Sequence, residues 1–176
     1  MEIIEKIRRH PLYREYYNKL EEIEKERIFC RHQMEHLLDV ARIAYIYNLE
    51  RQLGIRKEVI YAAALLHDIG KYLQYKDCIP HEQASAEIAA QILKDVSVET
   101  NAEQSEHVPA KKDTFSGEEQ REILRAILGH RKKRENMSVL EELLYTSDKQ
   151  SRLCFACPAE RECDWAAEIK NMEIRT

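Results

Sequence analysis

Seven histidines and five cysteines stand out in a chain otherwise rich in helix-forming and charged residues. The sharpest placement is Leu65-Leu66-His67-Asp68-Ile69-Gly70-Lys71, where a histidine and an aspartate follow a long apolar run. Neighbouring residues on a helix point in different directions. His67 and Asp68 can therefore share one centre only where the helix ends, and Gly70 permits such an end. An imidazole and a carboxylate behind an apolar run are costly to bury without a partner. A divalent metal is one partner, and mixed N/O ligation suits Fe, Mn, Zn, Co or Ni. An ordinary helix terminus, with one of the two residues capping and the other exposed, would leave the same letters in the sequence.

The cysteines make a second pattern. Cys154, Cys157 and Cys163 read C-x₂-C-x₅-C, with Pro158 inside the motif. CxxC spacing lets two thiolates face one zinc, one iron–sulfur cluster or each other as a redox pair. A closed four-ligand site needs another donor, which Cys30 or Cys78 supplies only if the fold brings it close. Reduced thiols supporting a C-terminal helix are the simpler reading.

The elements that must position these groups are helices. Only four Gly and four Pro occur in 176 residues, and the abundant Leu, Ile, Ala, Glu, Lys and Arg lose little freedom in a helix. In residues 2 to 30, Ile3, Ile7, Ile23 and Ile28 are scattered among charges. His10-Pro11 divides that stretch into two expected exposed helices. From Gln33 to Leu53 the residues Met34, Leu37, Leu38, Ala41, Ala44, Tyr45 and Leu49 recur at helical spacing, and Gly54 ends the run. Residues 57 to 69 predict a helix buried on most sides. Further helices are expected over His81 to Asp95, from Glu118, from Ser138 through Leu144, and over Glu160 to Met172. The polar stretch 95 to 117 predicts a loop, mobile or a lid. Tyr72 and Tyr75 are expected to pack, with base stacking as the alternative.

One domain accommodates this length. The formal charge of −4 directs the chain to neither nucleic acid nor membrane. No apolar run is long enough to span a bilayer, and the N-terminus lacks the order of a secretory signal. The odd cysteine count is not that of a secreted disulfide framework. A cytoplasmic, all-α protein is expected, with an extension over 1–30, a central domain over 31–152 and a cysteine-containing helical segment over 153–176.

The ordered set of an early His, the His67-Asp68 pair and a late Asp resembles the HD-domain superfamily of metal-dependent phosphohydrolases. The early His is best matched by His36, in His36-Leu37-Leu38-Asp39-Val40-Ala41-Arg42-Ile43-Ala44. Asp148, in Leu143-Leu144-Tyr145-Thr146-Ser147-Asp148, matches the late Asp. His32, one turn before His36 on the same face, is an alternative ligand or a phosphate contact. The order of His36, His67-Asp68, His81, His130 and Asp148 is similar to the binuclear branch, which includes small bacterial diadenosine tetraphosphate hydrolases and HD-GYP phosphodiesterases. The Gly-Tyr-Pro string of the latter is absent.

That resemblance implies a compact bundle of about six to eight helices. It gives a first metal held by His36, His67, Asp68 and Asp148, and a second by Asp68, His81 and His130, with iron or manganese favoured. Two metals roughly 3.5–4 Å apart can acidify a bridging water and neutralise phosphoryl charge. Asp68 and Lys71 would carry the catalysis, and Lys71, His32, Arg131 and Arg152 would contact a small phosphorylated substrate, with a nucleotide as the expected class. The ordinary readings are that His81 caps a helix after Pro80, that His130 is a satisfied terminal residue, and that Arg131 to Arg134 form a solvated basic turn. Two other function classes fit the same letters: a nucleotide- or metal-binding sensor without turnover, and an oxidative di-iron enzyme. Oligomerisation is left open.

Overall fold

The computed structural model describes residues 1–103 and 114–174. Among them it has eight α-helices and no strand: α1 (Glu2–Arg9), α2 (Pro11–Ile23), α3 (Met34–Glu50), α4 (Lys57–Leu66), α5 (Lys71–Asp77), α6 (His81–Glu103), α7 (Gly117–Gly129) and α8 (Val139–Gln150). No helix among the described residues is long and apolar enough to cross a membrane.

Helix α4 is the axis of the bundle, because its sequence leaves almost no polar face. Val59, Ile60, Ala62, Ala63, Ala64, Leu65 and Leu66 are all buried. The three alanines carry no bulk, so neighbouring helices approach closely, and α1, α3, α6, α7 and α8 all touch α4. Helix α3 presents His36, Leu37, Val40, Ala41, Ala44, Tyr47 and Asn48 to this core, a stripe at three- and four-residue spacing. Helix α8 does the same with Leu140, Leu143, Leu144, Ser147 and Asp148. Polar groups at the ends of these apolar stripes are thus carried inward by their neighbours.

Helix starts are written locally. Ser116 and Glu119 form a capping box at α7, and Ser138 and Glu141 form another at α8. Each satisfies two donors that a helix start leaves orphaned.

Three expectations need correction. The N-terminal helices are not exposed: Ile3, Ile4, Ile7, Tyr13 and Leu20 are buried, and α1 packs on α4 and α6. Their apolar positions are few but share one face, enough to seal a core built elsewhere. Second, α6 continues past Asp95 to Glu103, because Val96 extends the Ile92–Leu93 face into the core. Only residues 114–116 of the expected 95–117 loop are described without helix, and the lid reading of 104–113 lies outside the described residues. Third, no helix covers 160–172. After a single 3-10 turn at Cys154–Ala156 the chain runs in turns and bends. Asn171 donates to the Gln150 carbonyl (2.8 Å), and Lys170 donates to the Glu160 carboxylate (2.8 Å), so its polar groups bond across the segment rather than along a helix.

Gly70 is required for space rather than for an unusual dihedral, since its φ is −86°. A Cβ there would collide with the Ala84–Ser85 backbone, and its N–H donates to Ser85 Oγ (2.9 Å). The glycine lets the His67-Asp68 turn lie flat on α6. Gly70→Ala is expected to destabilise the fold by about 1–3 kcal/mol through forced separation of α5 and α6. Urea unfolding checks this, and an unchanged midpoint would refute the close-packing role.

Candidate metal centre

Five helices converge on one buried cage. His36 comes from the first turn of α3, and His67 and Asp68 follow the last turn of α4. His81 opens α6, His130 closes α7, and Asp148 lies in the last turn of α8. All six residues are buried.

Asp68 is the hinge of the geometry. Its Oδ2 lies 3.0 Å from His67 Nε2 and 3.7 Å from His36 Nε2, while its Oδ1 lies 3.4 Å from His81 Nε2 and 3.7 Å from His130 Nε2. One carboxylate thus turns one oxygen to each histidine pair. Asp148 Oδ1 closes the first group, 3.3 Å from His36 Nε2 and 3.7 Å from His67 Nε2. Two sets of donors, His36–His67–Asp68–Asp148 and Asp68–His81–His130, are each tight enough to hold an ion.

The imidazole tautomers follow from the far side of each ring. His67 and His130 stand just past helix ends, where carbonyls lack intrahelical partners. Each Nδ1 donates to such a carbonyl three residues back, His67 to Ala64 (2.7 Å) and His130 to Ile127 (2.6 Å). His81 Nδ1 donates to Gln74 Oε1 (2.6 Å). Ser151 gives its hydroxyl proton to the Asp148 carbonyl (2.8 Å) and accepts from His36 Nδ1 (3.0 Å). All four rings therefore turn Nε2 to the centre, the arrangement a metal requires.

Two observations test whether a cation fits. His81 Nε2 and His130 Nε2 face each other at 3.1 Å with both Nδ1 atoms already donating, so two acceptors are opposed. His67 Nε2 is buried and has no hydrogen-bond partner among the described residues, although a carboxylate oxygen is close by. A positive charge between these groups resolves both, and the donor set matches divalent transition metals.

The electrostatics agree. Burial disfavours charge on His67, yet Asp68 and Asp148 outweigh it and lift its pKa to about 10. For His81 burial wins, and the pKa falls to about 3 despite Asp68. Burial opposes ionisation of Asp68 and Asp148, but their cationic and hydrogen-bonding neighbours hold both well below the usual carboxylate range. Two carboxylates are thus kept ionised in the core, offset by His67, by Arg152 and by Lys149, whose Nζ lies 2.5 Å from Asp148 Oδ2.

The expected phosphate contacts divide. Lys71 starts α5 and lines a cavity with His32 and Arg152 at the edge of the cage. Burial lowers its pKa, partly offset by Asp68. Arg152 is buried, and its Nη2 donates to His36 Nε2 (2.9 Å) while lying 3.4 Å from Asp148 Oδ1. A cation entering the first group must displace that donor from His36. Arg131 is not brought in: it is exposed and pairs with Glu82 at 3.5 Å.

His32 is not on the helical face of His36 as expected but in the loop before α3, which still brings its Nε2 to 3.8 Å from Asp68 Oδ2. Glu24, from the end of α2, accepts both the His32 backbone N–H (2.6 Å) and His32 Nδ1–H (2.5 Å). The Tyr75 hydroxyl donates to the same carboxylate (2.8 Å). Glu24, Gln74 and Ser151 are the partners that sequence reasoning missed. Nothing in a charged N-terminal stretch distinguishes Glu24 from the other glutamates, but a serine three residues after Asp148 is a signal that could have been used.

Ser151→Ala is expected to free the His36 ring and to weaken the first ion's binding by about 10–100-fold. Competition against a calibrated chelator measures this, and unchanged affinity would show that His36 needs no such support.

Comparison with known proteins reinforces the geometry. The HD domain family model matches residues 34–154. An uncharacterized protein of Clostridium beijerinckii is 44% identical over 160 residues, covering 90% of this chain and 89% of its own. No solved structure matches. A family match that runs from the first helix of the cage to just past its last aspartate, over a core able to hold metal ions, makes this chain a member of the HD-domain superfamily of metal-dependent phosphohydrolases.

Proposed function

We propose that this protein is a binuclear phosphohydrolase that cleaves a phosphoester or phosphoanhydride of a small molecule, a nucleotide being the favoured substrate class. The observation that carries this reading is Asp68, with one oxygen towards His36 and His67 and the other towards His81 and His130. In this reading His36, His67, Asp68 and Asp148 hold one ion, and Asp68, His81 and His130 hold the other. Iron or manganese would suit this mixture of imidazole and carboxylate. Such ions supply an acidified water and charge neutralisation for the phosphoryl group.

The protein's own groups would do the rest. Asp68 orients both halves of the centre. Lys71 and Arg152, at the edge of the cage, offer positive charge to phosphoryl oxygens, with Lys71 acting as a compact point charge and Arg152 as a planar fork. His32, held by Glu24, stands ready to contact the substrate or join the first ion. The likeness to small diadenosine tetraphosphate hydrolases belongs to this proposal, as does action inside the cytoplasm.

The test is elemental analysis of untagged protein followed by a nucleotide panel with Mn or Fe, aerobically and anaerobically. About two equivalents of metal at the histidine–aspartate centre, lost in Asp68→Asn, and oxygen-independent phosphate release are expected. Nucleotide binding without turnover under every metal would overturn hydrolysis in favour of a sensor, and strict dependence on iron and oxygen would overturn it in favour of oxidative chemistry.

A further inference from the structure

The fold answers the question left by the cysteine motif, namely which residue could be the fourth donor. Cys30, from the loop between α2 and α3, lines the same cavity of about 120 Å³ as Cys154, Cys157 and Cys163. The fifth cysteine, Cys78, is exposed at the end of α5 and lies outside that cavity. We propose that Cys30, Cys154, Cys157 and Cys163 hold a [4Fe–4S] cluster at the end of this cavity away from the cage, whose edge His32, Lys71 and Arg152 line.

Spacing does not match a single zinc ion. Four sulfurs around one zinc lie only about 3.8 Å apart, as Zn–S bonds of roughly 2.3 Å require in a tetrahedron. Among the described residues no three of these sulfurs come within 4.8 Å of one another. A cubane takes one thiolate on each of four irons, so its ligands stand further apart. The cavity is also far larger than the roughly 10–15 Å³ that a single water-sized occupant needs.

Charge is consistent with a bound anion. Arg27, Lys71, Arg152 and Lys170 line the cavity against the carboxylates of Glu160 and Asp164. That excess of cations would offset the net negative charge of a thiolate-ligated cluster.

The C-terminal segment supplies an independent reason. Between Leu153 and Ile174 the only buried apolar residues are Cys154 and Ala159, while Leu153, Phe155, Ile169, Met172 and Ile174 are exposed. A stretch with so little apolar burial and no α-helix needs another source of order, and metal ligation is a source that small segments use. With all four irons capped by protein sulfur, no position would remain open to substrate. The cluster would fasten the segment to the loop carrying Cys30, and so fix Arg152, two residues before Cys154, beside the other metal centre.

The full chain, purified without a tag under anaerobic conditions, should contain about four acid-labile sulfides, with about four irons beyond those of the histidine–aspartate centre. Its visible absorption should bleach with dithionite. Cys30→Ser and Cys157→Ser should each lose most of the sulfide with helical circular dichroism retained, and Cys78→Ser should keep all of it. Asp68→Asn should keep the sulfide too, which separates the two sites. Zinc without sulfide, no metal at all, or full sulfide in Cys30→Ser would each overturn the proposal. Because the wild-type sulfide count decides the matter by itself, a variant that fails to fold does not.

Discussion

Asp68→Asn is expected to reduce bound metal at the histidine–aspartate centre to less than one equivalent and to lower hydrolysis by about three orders of magnitude. Among the described residues its carboxylate is the only group that faces both histidine pairs, so the change weakens two sites at once. An amide offers each ion a neutral oxygen or an N–H in place of a shared negative charge. Loss of several kcal/mol of transition-state stabilisation at such a centre corresponds to about a thousandfold in rate, at about 1.4 kcal/mol for each factor of ten. The variant should stay folded, because asparagine matches the shape of aspartate and α4 is held by its own apolar surface. Elemental analysis and turnover at saturating metal check both halves. Full activity in a folded Asp68→Asn variant would remove the shared-carboxylate model.

The second large effect is expected in the double substitution His81→Ala with His130→Ala. These rings oppose lone pairs at 3.1 Å, an arrangement that is unfavourable without a cation and favourable with one. Removing both should leave one equivalent of metal on His36, His67, Asp68 and Asp148 and lower activity by about a hundredfold. A ligand at 100 times its dissociation constant stabilises a fold by roughly 2.7 kcal/mol per site. The gain in melting temperature on adding Mn should therefore fall to about half of its wild-type value. Two equivalents in the double variant would show that the second ion, if any, lies elsewhere.

The cage was legible where local pattern and chemistry coincided. His36 and Asp148 sit on helical stripes whose apolar members announce which side faces inward, and His67 and Asp68 follow directly on the apolar run of α4. His81 and His130 could be placed only by their order along the chain, since each stands at a helix boundary where an ordinary cap reads the same. Glu24 was illegible because its burial depends on how α2 meets the loop after it, a tertiary fact. The exposed reading of α1 failed for a related reason. Ile3, Ile4 and Ile7 form too short a face to be noticed among charges, yet they complete the core. Gly70 was rightly singled out but for a different reason, as the missing Cβ serves the neighbouring helix rather than the turn. The absent C-terminal helix shows propensity losing to long-range bonds, with Asn171 tied to Gln150 and Lys170 to Glu160.

Arg152 has a bearing on how the protein matures. Its guanidinium stands against His36 and Asp148 and is itself held by the Arg31 carbonyl (3.1 Å). The chain therefore brings its own positive charge to the centre, where it compensates the carboxylates before any ion arrives. Small metal-organised domains collapse without their ion because nothing else balances the ligands. In the proposed reading the helical core can fold first and take metal afterwards, the ion replacing the Arg152 N–H at His36 while the guanidinium stays anchored on the Arg31 carbonyl. An arriving ion would then meet carboxylates already offset by a cation, and starvation for metal should leave the helical core in its shape.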